Sequence, residues 1–296
     1  MRTVGTFAEA RELASGSVGL VPTMGFLHEG HLSLIEAARE SNDSVVVSLF
    51  VNPLQFNESS DLAAYPRDLD RDAALVRAAG ADILFAPDAA TMYPSTPLTS
   101  IEVTEVADAM EGAHRPGHFA GVATVVAKLF AGLQPDSAYF GRKDAQQLAV
   151  VATMAEDLSF PVEIVGLPIV READGLALSS RNVRIEEHLR SPALSLSRSL
   201  FAAADAFDAG ERSVASLRDR VRRGIADESD AEAEYVEMAT AAGASITDTI
   251  TDTVFLAVAV QIGDVRLIDN IHLDPRTGIA DRGVRLETSS ILYGGH

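Results

Sequence analysis

A pair of histidines follows the first strongly apolar run of the chain. His28 and His31 enclose Gly30, and they come after a predicted strand at 18–21 and a turn of small residues. Apolar residues at helical spacing begin at Leu32, so the histidines lie where a helix is predicted to start. The N–H groups and positive dipole end of such a helix suit a phosphate, and Gly30 permits close backbone approach. The pattern predicts a phosphate site whose imidazoles stabilise charge on a transferring phosphoryl group.

The same histidine pair permits two other interpretations. Short motifs of this kind often occur without function, and the two rings are then surface groups beside a turn. Histidines three residues apart also supply two zinc ligands, but the sequence marks no third ligand and contains no cysteine. The choice depends on what the rest of the chain places beside the turn.

A second candidate is the sequence Gly-Arg-Lys-Asp at 141–144, between a predicted strand and a predicted helix. Of the 24 Lys and Arg side chains only two are lysines, Lys128 and Lys143. A lysine is a compact point charge, unlike the planar guanidinium of arginine. We therefore predict that Lys143 contacts phosphate, and a surface salt bridge is the alternative.

Two loops are further candidates. Ser179, Ser180 and Arg181 provide hydroxyls, N–H groups and a guanidinium that together could close on a pyrophosphate as a mobile loop. A solvated loop that caps the next helix is the alternative. The segment 111–119 is rich in Gly, Pro and His, and it is either a lid over a nucleotide or an irregular connection.

Neutral amides form another set of polar groups. Asn52 and Gln55 follow the second predicted strand, and Gln147 follows the turn that carries Lys143. Amides bind the hydroxyls of a small polar substrate without adding charge. Because ligands bind at the carboxyl ends of parallel strands, we predict that the amides, the histidines and Lys143 serve one site.

Bulk composition limits the classes of function. The 296 residues are 47% hydrophobic and 23% charged, typical of a globular protein with about two domains. A net charge of −19 repels nucleic acid, so we expect no nucleic-acid partner. No apolar run approaches the ~20 residues of a membrane span, and the N-terminus has no signal-peptide pattern. With no cysteine present, we predict a cytoplasmic protein without a membrane partner.

Strands and helices alternate in the first half of the chain, which predicts an α/β fold with a mainly parallel sheet covered by helices on both faces. A smaller α+β domain is predicted to follow, with domains at 1–169 and 170–296 and a mobile tail at 274–296. Strands are predicted at 18–21, 45–51, 82–86, 99–104, 137–141, 162–167, 234–238, 254–262 and 265–271, and helices at 67–79, 121–133, 144–158, 191–210 and 214–226.

Several motifs occur in a fixed order along nearly the whole chain. They are P-T-M-G-x-L-H-x-G-H at 22–31, F-V-N-P-x-Q-F at 50–56, Y-P-R at 65–67, R-P-G-H-F-x-G-V at 115–122, G-x-K-D-x-Q-Q-L at 141–148, R-E-x-D-G-L-A at 171–177 and S-S-R-N at 179–182. Together they resemble the pantoate–β-alanine ligase family of the nucleotidyltransferase superfamily. The histidine and serine motifs alone mark only the superfamily, and the amide motifs point to this family.

The resemblance implies a Rossmann-like domain followed by a smaller C-terminal lid domain. It implies ATP-dependent condensation of (R)-pantoate with β-alanine to (R)-pantothenate through a pantoyl-adenylate, with release of AMP and pyrophosphate. ATP is then a substrate, Mg²⁺ accompanies its phosphates, and the protein is a homodimer. The sequence identifies no metal ligands.

The resemblance also assigns roles to individual residues, with His31 as the candidate proton donor. The implied catalytic residues are His28, His31, Lys143, Ser179, Ser180 and Arg181. The implied ATP-binding residues are Met24, Gly30, His31, Gly141, Lys143, Asp144, Val170, Leu178, Ser179, Ser180 and Arg181. The implied pantoate-binding residues are Pro22, Met24, Gln55 and Gln147.

Two residues depart from the family pattern. Arg142 replaces the usual Glu before Lys143, which changes the charge beside the phosphates, and Leu178 replaces the usual Met before the serine pair. Two other functions stay open as alternatives. One is a nucleotidyltransferase with a stable nucleotide product, such as a cytidylyltransferase, and the other is a nucleotide-binding protein without turnover.

Overall fold

A computed structural model describes residues 1–56, 62–63, 65–246 and 248–294 of the chain. The chain divides into two compact units. The first comprises Met1–Gly141 and Gln147–Leu167, and the second comprises Arg142–Gln146 and Pro168–His296. Each unit is described by itself below.

The turn around Lys143 belongs to the second unit, whereas the division predicted at 169/170 placed it in the first. The reason is a side chain far along the sequence. Asn270 Nδ2 donates to the carbonyl oxygens of Arg142 at 2.9 Å and of Lys143 at 2.8 Å. A division based on chain order could not include such a contact.

The first unit is built on a six-stranded sheet with the order β1-β4-β3-β2-β5-β6 and parallel pairing throughout. The chain proceeds from β2 through β3 to β4 on one side, and β5 then pairs with the other side of β2. The direction of winding therefore reverses between β2 and β5, where open parallel sheets bind their ligands. The strands are β1 (Arg2–Val4), β2 (Val18–Thr23), β3 (Ser44–Leu49), β4 (Ile83–Phe85), β5 (Ser137–Gly141) and β6 (Glu163–Leu167).

Helices cover both faces of this sheet. Val45 and Val47 of β3 pack in one apolar cluster with Ile35 of α2, while Val46 packs in a second cluster with Val126 of α6. Because both faces are covered, the strands read as unbroken apolar runs in the sequence. The helices of this unit are α1 (Phe7–Leu13), α2 (Glu29–Ser41), α3 (Leu69–Ala78), α4 (Ala89–Met92), α5 (Met110–His114), α6 (His118–Leu133) and α7 (Ala145–Asp157, which begins in the second unit), with a 3-10 turn at Pro53–Gln55.

The second unit is an antiparallel sheet with the order β11-β10-β9-β8, covered by two helices. A parallel pair, β7 with β12, completes it. The strands are β7 (Val170–Arg171), β8 (Ala231–Thr240), β9 (Val254–Ile262), β10 (Val265–Asp274), β11 (Ile279–Asp281) and β12 (Val284–Arg285). The helices are α8 (Arg190–Ala193), α9 (Ser195–Asp208) and α10 (Val214–Ala226), with 3-10 turns at Arg142–Asp144, Ser180–Arg184, Glu187–Leu189 and Ile291–Tyr293. Nowhere in the described part of the chain is a helix both long and apolar enough to cross a membrane.

A buried ion pair lies at the centre of the second unit. The guanidinium of Arg171 meets the carboxylate of Asp269 through two hydrogen bonds, of 2.6 and 3.0 Å, and both side chains are almost completely buried. Arg171 also donates to the carbonyl oxygen of Asn270 at 3.0 Å. Removal of one partner from such a pair costs about 3–5 kcal/mol because the other charge is left without compensation.

Two predictions about local structure were wrong. The segment 99–104 forms no strand; instead, the N–H of Ile101 donates to the hydroxyl of Thr124. The tail was expected to be mobile, but β11 pairs with β10 and β12 pairs with β7. Arg282 fastens this part of the tail to α9 through Asp205 and Asp208. The last two residues of the predicted tail, 295 and 296, lie outside the described residues.

The α6 helix approaches the 3-10 turn after β3 unusually closely at Gly121. A Cβ atom added to Gly121 would lie 2.3 Å from the carbonyl oxygen of Leu54, which is backbone and cannot rotate away. The carbonyl of Gly121 also accepts a hydrogen bond of 3.0 Å from Asn52 Nδ2. Glycine at this position therefore sets the distance between α6 and the turn that carries Gln55.

We expect Gly121→Ala to lower the free energy of unfolding by about 1–3 kcal/mol, the usual cost of overpacking a core. The measurement is urea unfolding followed by circular dichroism. Gly5→Ala is the matched control, because a Cβ atom there would meet no heavy atom within 4 Å. Equal stability of the two variants would show that α6 can withdraw at no cost.

Candidate active site

The two histidines cap α2 reciprocally. His28 Nδ1 accepts a hydrogen bond of 3.2 Å from the N–H of Gly30, and the N–H of His28 donates to His31 Nδ1 at 3.3 Å. Since each Nδ1 is an acceptor, the proton of each neutral ring is on Nε2. The helix start therefore carries two imidazoles of defined tautomer, with ring centroids 4.2 Å apart.

This geometry bears on the alternatives for the histidine pair. His28 is 8% exposed and His31 is half-buried, so the rings are not surface groups beside a turn. Within the described ranges, no group of three or more His, Cys, Asp or Glu residues could hold a metal ion. The cap itself pairs the N–H groups of Gly30, His31 and Leu32 with His28, so the imidazoles and the positive end of the helix dipole are the features that suit a phosphate.

A buried carboxylate holds the turn between β2 and the histidines. Gly25 and Phe26 both have positive φ angles, of 91° and 52°. Asp72 of α3 accepts hydrogen bonds from the N–H of Phe26 at 2.7 Å and from the N–H of Leu27 at 2.8 Å. Its side chain is 1% exposed. The neighbouring Arg71 donates to the carbonyl oxygen of Leu27 at 2.9 Å. Adjacent residues of α3 therefore hold two N–H groups and one carbonyl group of the turn.

The amide predicted to bind substrate is oriented by a chain of hydrogen bonds. The phenol of Tyr93 donates to Asn52 Oδ1 at 2.9 Å, and Asn52 Nδ2 donates to Gln55 Oε1 at 3.2 Å. Gln55 Nε2 then lies 3.0 Å from Met24 Sδ. Burial raises the pKa of Tyr93 to about 12, so its phenol keeps its proton at neutral pH. The chain places the NH₂ group of Gln55 beside Met24, as the resemblance implies for a shared substrate.

The segment 111–119 is ordered, and one of its residues supports Gln55. It forms α5 and the start of α6, and His118 is 7% exposed. The Nδ1 of His118 lies 2.9 Å from the carbonyl oxygen of Gln55, which fixes Nδ1 as the donor. Pro22 lies in β2 and is half-buried, and Gln147 lies in the first turn of α7.

Lys143 lies in a 3-10 turn, Arg142–Asp144, directly after Gly141 at the end of β5. Its ammonium is 3.7 Å from the carboxylate of Asp144, which is about half exposed. A contact at that distance with an exposed group is weak. Arg142, the departure from the family pattern, forms an ion pair of 3.1 Å with Asp281 of β11.

The serine loop is a capped turn. Ser179 is the N-cap of the 3-10 turn Ser180–Arg184, and its hydroxyl accepts the N–H of Arg181 at 3.2 Å. The predicted alternative was a solvated loop that caps a helix running through Glu186 and Glu187. Ser179 does cap a turn, but that turn ends at Arg184, and Ser180 and Arg181 are half-buried beside it. Leu178, the other departure, is buried, and its N–H donates to the carbonyl oxygen of Val170 at 3.0 Å.

A buried glutamate holds this loop through a hydrogen bond to Asn182. Glu172 Oε1 accepts hydrogen bonds from Asn182 Nδ2 at 2.7 Å and from the phenol of Tyr293 at 2.9 Å, and Glu172 forms an ion pair with Arg190. Burial and the hydrogen bond to Glu172 raise the pKa of Tyr293 to about 12. The last 3-10 turn of the chain thus contributes to the loop that carries the serine pair.

Sequence reasoning missed the residues that support the site, namely Asp72, Tyr93, His118, Glu172 and Asn270. Asp72, Tyr93 and Asn270 lie in none of the motifs, and each acts on atoms far away in the sequence. His118 and Glu172 lie within the motifs at 115–122 and 171–177, but the motifs did not indicate their partners. Only Asp72 carried a signal in the sequence, because it is an acidic residue within the helix predicted at 67–79.

Known proteins resemble this chain over most of its length. The family model described as pantoate-beta-alanine ligase matches residues 1–272. A pantothenate synthetase of Desulfitobacterium hafniense (strain DSM 10664 / DCB-2) is 52% identical over 258 residues, which cover 87% of this chain and 92% of that protein. One of Roseiflexus sp. (strain RS-1) is 52% identical over 277 residues, covering 93% of this chain and 100% of that protein.

The chain belongs to the pantoate–β-alanine ligase family. The structure of pantothenate synthetase from Thermus thermophilus matches with a TM-score of 0.86 and 48% identity, over 91% of this chain and 98% of that one. The pantoate–β-alanine ligase of Francisella tularensis, complexed with β-γ ATP and β-alanine, matches with a TM-score of 0.70 and 32% identity, over 91% and 97%. The predicted family and fold are confirmed, and this chain is a ligase that joins pantoate to β-alanine with ATP as a substrate.

We expect Asp72→Asn to destabilise the protein by about 3 kcal/mol. The asparagine would have one oxygen and one NH₂ group, so one of the two backbone N–H groups would face another donor in place of a charged acceptor. Ligase activity should fall with it, since the turn before His28 loses its anchor. Urea unfolding and pantothenate formation measure the two effects. Asp70→Asn, an exposed position on the same helix, is the control and should stay within about 0.5 kcal/mol. Parent-like activity of Asp72→Asn would contradict the anchoring role.

His272 makes stability depend on pH. Burial and the nearby Arg142 lower its pKa to about 4, and its Nε2 has no hydrogen-bond partner in the described part of the chain. The unfolded chain, with the ordinary value of 6.5, therefore takes up a proton first as the pH falls. Between pH 7 and pH 5 the free energy of unfolding should decrease by about 2 kcal/mol from this group.

The measurement is urea unfolding at pH 7 and pH 5 for the parent and for His272→Gln, which should lose that difference. His188→Gln is the control, because the His188 side chain is 70% exposed and should leave the difference unchanged. An identical pH dependence in parent and His272→Gln would show that other groups cause it.

Proposed function

We propose that the ligation proceeds through a pantoyl-adenylate. In the first step a carboxylate oxygen of pantoate attacks the α-phosphorus of ATP, and the bond from that phosphorus to the β-bridging oxygen breaks to release pyrophosphate. In the second step the neutral amine of β-alanine attacks the activated carbonyl carbon. The bond from that carbon to the AMP oxygen breaks, AMP leaves, and the amine nitrogen loses a proton to solvent.

The observation that carries this proposal is the reciprocally capped histidine pair after β2. With both Nδ1 atoms engaged by backbone N–H groups, the Nε2–H groups are the donors for charge on the α-phosphate and on the leaving pyrophosphate. His31 is the proposed proton donor among them. Gly30, whose N–H lies in the same cap, lines the ATP site with Met24.

Lys143 and the serine loop are the proposed cationic and hydroxyl groups. Lys143 stabilises charge on the α-phosphate and the pyrophosphate as a point charge. Ser179, Ser180 and Arg181 hold the β- and γ-phosphates, since a capped 3-10 start offers N–H groups, hydroxyls and a guanidinium together. The remaining proposed ATP-site residues are Gly141, Asp144, Val170 and Leu178.

The donor set around Lys143 fits a magnesium ion that arrives on ATP. Mg²⁺ is usually held by one or two carboxylates together with substrate phosphates and waters. Asp144 offers one carboxylate, and the described residues contain no larger metal-binding cluster. When bound, the ion would neutralise phosphate charge, and Asp144 is the residue proposed to hold it.

Neutral groups bind pantoate in this proposal. Gln55, whose NH₂ group is directed by Asn52, donates to substrate oxygens, and Met24 is an apolar wall beside it. Pro22 and Gln147 complete the proposed pantoate set. The family resemblance also supports a homodimer in the cytoplasm, and light scattering after size exclusion would measure the dimer.

We expect Lys143→Ala to lower pantoate-dependent ATP–pyrophosphate exchange by about 10²–10³-fold, the scale of removing one strong transition-state donor. Circular dichroism should show an intact fold. Arg77→Ala, at an exposed cation of α3, is the control and should keep the parent rate. Exchange by Lys143→Ala within threefold of the parent would refute the assignment.

The same assay separates the two alternative functions. A cytidylyltransferase would use CTP in preference to ATP. A nucleotide-binding protein without turnover would release no AMP in the presence of both pantoate and β-alanine. We expect exchange with ATP that requires pantoate, and AMP release that requires both substrates.

A further inference from the structure

Asn270 connects the core of the second unit to the turn that carries Lys143. It lies in β10, and its side chain is 2% exposed. Both protons of its Nδ2 are used, one by the carbonyl oxygen of Arg142 at 2.9 Å and one by that of Lys143 at 2.8 Å. These two carbonyls belong to consecutive residues, so a single amide defines the direction of the turn.

The backbone of Asn270 is itself held in place. Its N–H donates to Asp269 Oδ1 at 2.7 Å, and its carbonyl oxygen accepts from Arg171 at 3.0 Å. Arg171 and Asp269 are the buried ion pair of this unit. The backbone of Asn270 is therefore held by the buried ion pair, and its side-chain amide positions the 3-10 turn relative to β10.

We propose that Asn270 is a positioning residue for Lys143. The inference rests on the proposed role of Lys143 in adenylyl transfer. Two carbonyl oxygens converge on one point, and only a group with two N–H donors satisfies both. Without that group, the backbone of Lys143 is no longer held in one position, and its ammonium can shift. A displacement of 1 Å at a reacting centre can cost about 10²-fold in rate.

Asn270→Asp is the sharpest substitution, since it keeps the shape of the side chain and replaces its two donors by an oxygen that faces two carbonyls. We expect kcat for ATP–pyrophosphate exchange to fall about 10–100-fold. The KM for pantoate should stay within about twofold, because Pro22, Met24 and Gln55, three of the four proposed pantoate residues, lie far in sequence from the turn that Asn270 holds. If this variant does not fold, Asn270→Ala replaces it with the same expectation.

The matched control is Ile271→Val, at the adjacent buried position of β10, which removes one methylene at a cost of about 0.5–1.5 kcal/mol. Hydrogen exchange of peptides spanning 141–146 gives a readout besides activity. Exchange in that segment should rise in Asn270→Asp and stay at the parent level in Ile271→Val. Equal rates of exchange in the two variants would overturn the proposal.

A double-mutant cycle with Lys143→Ala decides whether Asn270 acts through Lys143. If it does, Asn270→Asp should cost less than about threefold in the Lys143→Ala background. Additive losses, with Lys143→Ala impaired, would overturn the positioning role and leave the proposed function standing. Full activity of Lys143→Ala would overturn both the positioning role of Asn270 and the proposed role of Lys143. The Lys143→Ala variant alone therefore separates the two failures.

Discussion

The turn between β2 and α2 must satisfy buried backbone donors without belonging to a strand or a helix. Asp72 meets this requirement by accepting the N–H groups of two consecutive residues, Phe26 and Leu27. The positive φ angles at Gly25 and Phe26 bring those N–H groups to one carboxylate. Because a buried unsatisfied N–H costs about 1–3 kcal/mol, the position of the histidine cap depends on this carboxylate as much as on the sheet.

Neutral side chains form much of the proposed site, although the chain has a net charge of −19. The histidine rings present Nε2–H groups because their Nδ1 atoms accept from the backbone. Gln55 presents an NH₂ group because Asn52 occupies its oxygen. In both places a neighbouring acceptor or donor decides which end of a two-ended group is left for the proposed substrate.

The sequence predicted the elements that depend on local periodicity. The strand 137–141, the helix 214–226 and the strand 254–262 have the predicted bounds, since apolar spacing and turn residues specify them. The family motifs predict which residues bear chemistry, and those assignments stay predictions. The supports were not predictable, because Asp72, Tyr93 and Asn270 act on atoms many residues away. The same holds for the tail, whose strands exist only through pairing with β10 and β7.

The contacts around Lys143 differ in their response to dissolved ions. The pair Arg142–Asp281 is about one-third exposed on each side, and at physiological ionic strength charges are screened over about 8 Å. The two hydrogen bonds from Asn270 join uncharged groups, and the pair Arg171–Asp269 is closed to counterions by burial. Added salt therefore weakens the ion pair Arg142–Asp281, and it leaves the hydrogen bonds of Asn270 and the buried ion pair unchanged. The geometry around Lys143 is consequently set by contacts that tolerate a wide range of salt concentrations.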